Sequence, residues 1–198
     1  MKNQGKSKSE WNILDKIIAK FRYAQVDKYV PKNGKIVDIG CGQEGNFLLR
    51  HKNNISQGYG LDYKIKNHTV DNINFINNHI SENLPITEHS IDAVFLNAVL
   101  EHLEHPEEVL LNALSLLKKG GKIVMTTPTP LAKPILEFMA YKLHIINEAE
   151  IREHVHYYNR NDIEVLITHL NNLFAVKLFT YEKFEFGLNS LIVIEKTK

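Results

Sequence analysis

Val37-Asp38-Ile39-Gly40-Cys41-Gly42-Gln43-Glu44-Gly45 reads as a buried strand running into a glycine loop that opens a helix. The strand begins at Lys35, and Asn46-Phe47-Leu48-Leu49 starts the helix. Such a loop lets a ligand lie against bare backbone at a helix N-terminus. Gly40, Gly42 and Gly45 satisfy G-x-G-x-x-G, and Asp62 follows at the distance where dinucleotide-binding loops have their ribose acid. The charges point elsewhere. Asp38 precedes the first glycine and Glu44 lies inside the loop, with no Lys or Arg between Lys35 and Arg50. Two carboxylates repel a pyrophosphate and attract a ligand carrying an ammonium and a sulfonium.

Val37 to Gly45 resembles the first motif of class I S-adenosylmethionine-dependent methyltransferases, and the resemblance continues downstream. Gly58-Tyr59-Gly60-Leu61-Asp62 resembles their second strand, which ends on the acid that takes the ribose hydroxyls. Asn83-Leu84-Pro85 and Ser90-Ile91-Asp92-Ala93-Val94-Phe95-Leu96-Asn97 resemble the approach to their fourth strand. Ala98-Val99-Leu100-Glu101-His102-Leu103 and Leu117-Lys118-Lys119-Gly120-Gly121 are similar to segments of the type 11 and type 12 groups. The motifs occur in order over residues 30–130.

The resemblance implies an α/β Rossmann-like fold with a seven-stranded, mostly parallel sheet, an antiparallel last strand and helices on both faces. It also implies S-adenosyl-L-methionine as cofactor, S-adenosyl-L-homocysteine as product and a small-molecule acceptor. The cofactor-binding residues it implies are Asp38, Gly40, Cys41, Gly42, Gly45, Asp62, Tyr63, His79, Ile80 and Asn97. Relatives usually carry an Asp ahead of the Leu-Pro element for the adenine amine. Asn77-Asn78-His79-Ile80-Ser81 stands there instead, leaving His79, Ser81 or a backbone carbonyl to accept. A nicotinamide-dependent oxidoreductase and a non-catalytic module on the same fold are the rival readings.

Composition sets outer bounds. With 198 residues, 43% of them hydrophobic, the chain is expected to form one domain. A formal net charge of +1 lacks the excess of cations that nucleic-acid binders use on phosphates. No leader-like or membrane-length apolar run occurs, so a cytoplasmic location without membrane contact is expected. Cys41 is the one cysteine, and it reads as a small loop residue rather than a reactive thiol. The sequence leaves the oligomeric state open.

Ser7-Lys8-Ser9-Glu10 has capping-box form, and Leu14, Ile17, Ile18 and Phe21 follow at helical spacing. A helix over 10–30 is expected, a possible lid on the cofactor mouth. Strands are expected near 35–40, 57–62, 73–77, 91–97 and 121–127, with a closing pair at 174–181 and 188–196. Pro106 should open a helix with Leu110, Ala113, Leu114 and Leu117 on its buried stripe, Lys118 and Lys119 at its end and Gly120 as its stop. Residues 131–158 are expected to cap the acceptor.

In that cap His156, then His154, are candidates to bind the acceptor or take its proton, since an imidazole's ordinary pKa suits neutral pH. Alternation puts both on one side of an extended segment. His102 is a third candidate. Glu101-His102-Leu103-Glu104-His105 misses both H-E-x-x-H and H-x-x-E-H. Ubiquinone-biosynthesis O-methyltransferases and small-RNA 3′-end methyltransferases, which this segment resembles, carry E-x-x-E-H and bind a divalent ion. Ala98 replaces their first Glu here, so no metal is expected and Glu101 and His102 line the pocket floor.

Overall fold

Parallel strands covered on both faces must be apolar on both faces, and the central strands of this chain obey that rule. Ile36, Val37 and Ile39 of β1 (Lys35–Ile39) are fully buried, as are Val94, Phe95 and Leu96 of β5 (Ile91–Asn97). In the computed structural model, which describes residues 13–79 and 85–198, these strands are the centre of one eight-stranded sheet. The others are β2 (Gln57–Asp62), β3 (His68–Val70), β4 (Ile73–Asn77), β6 (Leu117–Pro128), β7 (Val176–Phe184) and β8 (Asn189–Lys196). Their order is β3-β4-β2-β1-β5-β6-β8-β7. β4, β2, β1, β5 and β6 run parallel, while β8 is antiparallel to both β6 and β7. The order reverses between β1 and β5, the place where open α/β sheets receive ligands.

Two cores cover the sheet. On one side α1 (Ile13–Val26) contributes Val26 and α2 (Asn46–His51) contributes Phe47 and Leu48. On the other, α3 (Pro106–Leu116) and α6 (Arg160–Leu170) bury Leu110, Leu114, Ile163 and Leu166. α6 starts on a full capping box: Asn159 accepts from the amides of Asn161 and Asp162, and Asp162 accepts from the amide of Asn159. The remaining helices, α4 (Ala132–Tyr141) and α5 (Glu148–Arg152), follow β6. No helix among the described residues is long and apolar enough to cross a membrane.

The sheet has eight strands where seven were expected. β3 is the addition, a three-residue antiparallel edge on β4 turned at Asp71 (φ 53°). His68 and Thr69 are polar and exposed and only Val70 is half-buried, so no alternation marks the strand. α3 also stops earlier than its lysines suggest. Leu117 is extended and pairs with Ile91, which starts β6 there. Lys118 therefore caps no helix and instead pairs with Asp92 at 2.7 Å. On α1, Phe21 is exposed, whereas Ala19 and Val26 are buried. The Ser7–Glu10 capping box lies outside the described residues.

The glycine loop joins this frame through Phe75 of β4. A Cβ on Gly45, whose φ is +59°, would lie 2.1 Å from the Phe75 ring. The ring fills the notch that the missing side chain leaves. Gly45→Ala should therefore lower stability by about 2–4 kcal/mol, overpacking added to left-handed backbone strain. Urea unfolding checks this, and an unchanged midpoint would refute the contact.

Candidate functional site

β1 ends in Gly40-Cys41-Gly42, and the amides of this loop are already committed. Those of Gly40 and Cys41 donate to the Leu61 carbonyl at 2.8 and 3.2 Å. That of Gly42 donates to Asp62 Oδ2 at 3.0 Å. The loop is thus tied to the end of β2 through its first three amides. A Cβ on Gly42 would meet nothing within 4 Å, so bare backbone faces open space there. Cys41 lies between these glycines with its thiol pushed well up by burial and by the charges of Asp38 and Asp62. It is an inert filler, as a small residue between glycines should be.

Below the loop, Asp38 is buried beside Asn97 at the end of β5, whose Nδ2 donates to Asp38 Oδ1 at 3.4 Å. Burial pushes the Asp38 carboxyl up to about 8; the Asn97 hydrogen bond opposes this and the Asp62 charge adds to it. Asn97 Oδ1 is buried with no hydrogen-bond partner. A starved carboxyl and an orphaned amide oxygen side by side invite a cationic N–H donor.

Asp62 ends β2 with both oxygens in use, Oδ2 on Gly42 and Oδ1 accepting the Lys64 amide at 2.8 Å. An ionised carboxylate accepts at about four positions, so room remains for two hydroxyls. Next to it the Tyr63 ring stacks on His79 at 5.7 Å, and the Lys64 ammonium lies over the Tyr63 ring, 4.8 Å from its centroid. Ile80 and Ser81 lie outside the described residues.

The turn after β5 builds the opposite wall. Ala98 takes φ 55°, and Glu101 follows in a 3-10 turn with only 1% of its surface exposed. The Glu101 carbonyl accepts the amides of Val155 and His156 at 2.8 and 3.3 Å, strapping the segment before α6 onto this turn. The strap brings His154 against His102, ring centroids 4.8 Å apart. Nδ1 of His102 faces the Glu153 carbonyl at 3.3 Å, and Nδ1 of His154 faces the Tyr157 hydroxyl at 2.9 Å. Burial lowers His154 to about 4, with His102 and Arg22 adding to the shift, so its imidazole is neutral and a weak base. Glu101 is pushed up by burial against the pull of His102, and its Oε2 has no hydrogen-bond partner.

The two cap histidines part company. His156 is exposed, 3.5 Å from Asp162 at the start of α6, with its ring against Tyr158. His154 lies against His102 while His156 turns to the helix cap. Both still border a groove of about 480 Å³ whose walls include Lys133, Glu137, Tyr141 and Tyr157. Among the described residues, Glu101, His102 and His154 are the group able to hold a metal ion, with one ligand atom of each within 4.8 Å of the others. Ala98, one turn earlier, has no ligand to add.

Sequence reasoning missed Arg22. It lies on α1, where only the apolar stripe was read, yet its Nε is buried without a partner and its charge acts on Glu101, His154 and Glu185. An arginine four residues after Ile18 of that stripe was the available signal.

The Asp38 environment has a consequence that needs no ligand. Its folded pKa of about 8 lies above the unfolded value, so the folded protein holds a proton that the unfolded chain releases. That contribution is full below about pH 4 and is lost as pH rises toward about 8, with a slope of at most about 1.4 kcal/mol per pH unit. Melting temperatures of Asp38→Asn and wild type should therefore diverge in the variant's favour as pH rises through this window. Parallel profiles would contradict the buried carboxyl.

A family model described as "Methyltransferase domain" matches residues 13–173. Among curated proteins, the chain is 25% identical over 103 residues to the ubiquinone/menaquinone biosynthesis C-methyltransferase of Brucella canis, covering 52% of this chain and 38% of the relative. It is 29% identical over 118 residues to an uncharacterised protein of Methanocaldococcus jannaschii, covering 59% and 55%. The chain thus spans about half or less of the length of these relatives. Among solved structures, a putative methyltransferase of Haloferax volcanii, solved with the Trm112 methyltransferase activator, superposes with a TM-score of 0.68 at 15% identity, covering 91% and 89%. A methyltransferase of Thermotoga maritima described as a possible histamine N-methyltransferase gives 0.67 at 18%, covering 95% and 93%. These likenesses are of fold.

Proposed function

The chain belongs to the methyltransferase domain family, and from that premise we propose that it moves a methyl group from S-adenosyl-L-methionine to a small-molecule acceptor, leaving S-adenosyl-L-homocysteine. The observation that carries this reading is the pairing of the buried Asp38 carboxyl with the orphaned Asn97 Oδ1 beneath a loop whose Gly40, Cys41 and Gly42 amides are committed. That arrangement suits an ammonium and a sulfonium and repels a pyrophosphate, which leaves the nicotinamide reading without support.

In this reading Asp38 and Asn97 hold the ammonium, Gly42 offers bare backbone to the amino-acid chain, Asp62 takes the ribose hydroxyls and Tyr63 with His79 flank the base. The cofactor supplies a methyl already activated by positive sulfur. What remains for the protein is to orient the acceptor, exclude water and relieve the nucleophile of its proton. The groove bordered by His154, Tyr157 and Lys133 receives the acceptor. His154, neutral at physiological pH, orients it through a hydrogen bond rather than serving as a strong base.

Calorimetry with S-adenosyl-L-homocysteine and with NAD tests the first half. Binding of the former alone is expected; binding of NAD alone overturns the reading. Asp62→Ala should weaken the homocysteine ligand roughly 10- to 100-fold, the loss of charged hydrogen bonds, and a change below about twofold would remove Asp62 from the site. On the acceptor side, turnover measured with a metabolite pool should fall more for His154→Ala than for His156→Ala, with cofactor affinity retained. The reverse order would return the role to His156.

A further inference from the structure

The acceptor groove leads to a carboxyl that nothing in the protein answers. Glu101 is buried, and its Oε2 has no hydrogen-bond partner. Yet one of its oxygens lies within 4.8 Å of a ring nitrogen of His154, which borders the groove. The Glu101 carbonyl also holds the amides of Val155 and His156, two more residues of the groove wall. The acid is therefore set into the same strap that shapes the acceptor's side of the site.

The donors around it are engaged elsewhere or fall short. Arg22 acts on Glu101 by its charge, but it forms no ion pair among the described residues. Nδ1 of His102 faces the Glu153 carbonyl, and that of His154 faces the Tyr157 hydroxyl. The Thr127 hydroxyl favours the ionised form of Glu101 without the geometry of a hydrogen bond. In the groove itself Arg152 pairs with Glu148 and Lys133 lies over the Tyr157 ring. Glu137, in the same wall, has no ion pair among the described residues. The charge left unanswered along this path is negative. Burial keeps His154 neutral, so it sets no positive charge against an incoming cation. A buried carboxyl oxygen without a donor is unfavourable until an N–H reaches it, most of all a charged one.

We propose that the acceptor is an amine whose nitrogen donates to Glu101 Oε2, with His154 beside it. The inference rests on the function proposed above and adds the class of nucleophile to it. A hydroxyl brings one donor and no charge, and a carboxylate meets repulsion from Glu101. In the transfer the bound ammonium releases one proton to water, and its freed lone pair forms the N–C bond to the methyl group. The C–S bond breaks with its electron pair left on sulfur. The products are a methylated ammonium, S-adenosyl-L-homocysteine and the released proton. Glu101 selects and orients the nitrogen.

The experiment compares 2-phenylethylamine, 2-phenylethanol and phenylacetate by calorimetry on protein saturated with S-adenosyl-L-homocysteine, with and without EDTA. The amine should bind at least about tenfold more tightly than the alcohol, as a charge-assisted hydrogen bond exceeds a neutral one, and phenylacetate should bind least. Glu101→Gln, which keeps the shape and removes the charge, should weaken the amine about tenfold or more and leave S-adenosyl-L-homocysteine within about twofold. With S-adenosyl-L-methionine as cofactor, mass spectrometry should find N-methylated amine. An alcohol or acid that binds as well as the amine, no binding by any of the three, or an amine affinity indifferent to Glu101→Gln overturns the proposal. So does an amine affinity abolished by EDTA, which would mean that Glu101, His102 and His154 hold a metal ion. Should Glu101→Gln lose S-adenosyl-L-homocysteine as well, the ranking of the three probes on wild type decides alone. A wild type that does not bind S-adenosyl-L-homocysteine overturns the cofactor reading itself, which separates that failure from a failure of the amine assignment.

Discussion

The hydrogen bonds from Gly40 and Cys41 to Leu61, and from Gly42 to Asp62, fasten the end of β1 to the end of β2, and the character of the site follows from them. They align the loop with the strand that delivers Asp62, so the acid reaches the ligand side without help from any other element. They also take up three donors that a glycine loop can offer an anion. The meaning of a G-x-G-x-x-G spelling depends on where the loop amides point, and here those of Gly40, Cys41 and Gly42 point into the protein.

On the other side of the switch point the chain uses one carbonyl to similar effect. Glu101 O accepts two amides from the strap before α6. That contact joins residues far apart in sequence and brings His154 to His102. His156, two residues on, is claimed by Asp162, whose carboxylate also closes the α6 capping box. A helix cap thus gives two near-equivalent histidines on one groove different partners.

The central strands were legible because burial on both faces writes itself as short apolar runs, and Asp38, Gly40, Gly42 and Asp62 were legible because a loop between such runs allows few residue types. β3 was not, since a three-residue edge with one half-buried residue is too short to have a pattern. The end of α3 was misread because a good helix-terminating composition, Lys-Lys-Gly, yields to strand pairing between Leu117 and Ile91, a tertiary term no local rule contains. The different surroundings of His154 and His156 were not legible either, because the strap onto Glu101 is a long-range contact. Arg22 escaped because a pattern of apolar residues was sought where the informative residue was the charged one. The Methyltransferase domain match over 13–173 includes α1, so this helix belongs to the family's shared unit and not to an appendage.

Three departures from ordinary packing gather at the facing ends of β1 and β5: the protonation-prone Asp38, the orphaned Asn97 oxygen and the left-handed Ala98. Each costs stability in the free protein, on the order of 1–3 kcal/mol for an unsatisfied group or a strained backbone. A fold retains such a cluster when the surrounding structure over-determines it, and here the paired strands β1 and β5, with β6 beyond, do so. A ligand that places a cation on Asp38 and Asn97 relieves the first two together, because the carboxyl need no longer hold its proton. Binding and deprotonation of Asp38 are then one event, so a cationic ligand should stabilise the protein more as pH rises toward the Asp38 value of about 8. A neutral ligand of the same shape gains nothing from that linkage. On the function proposed above, the strain in the free site would act as a charge filter, selecting for the sign of the ligand before its shape is tested.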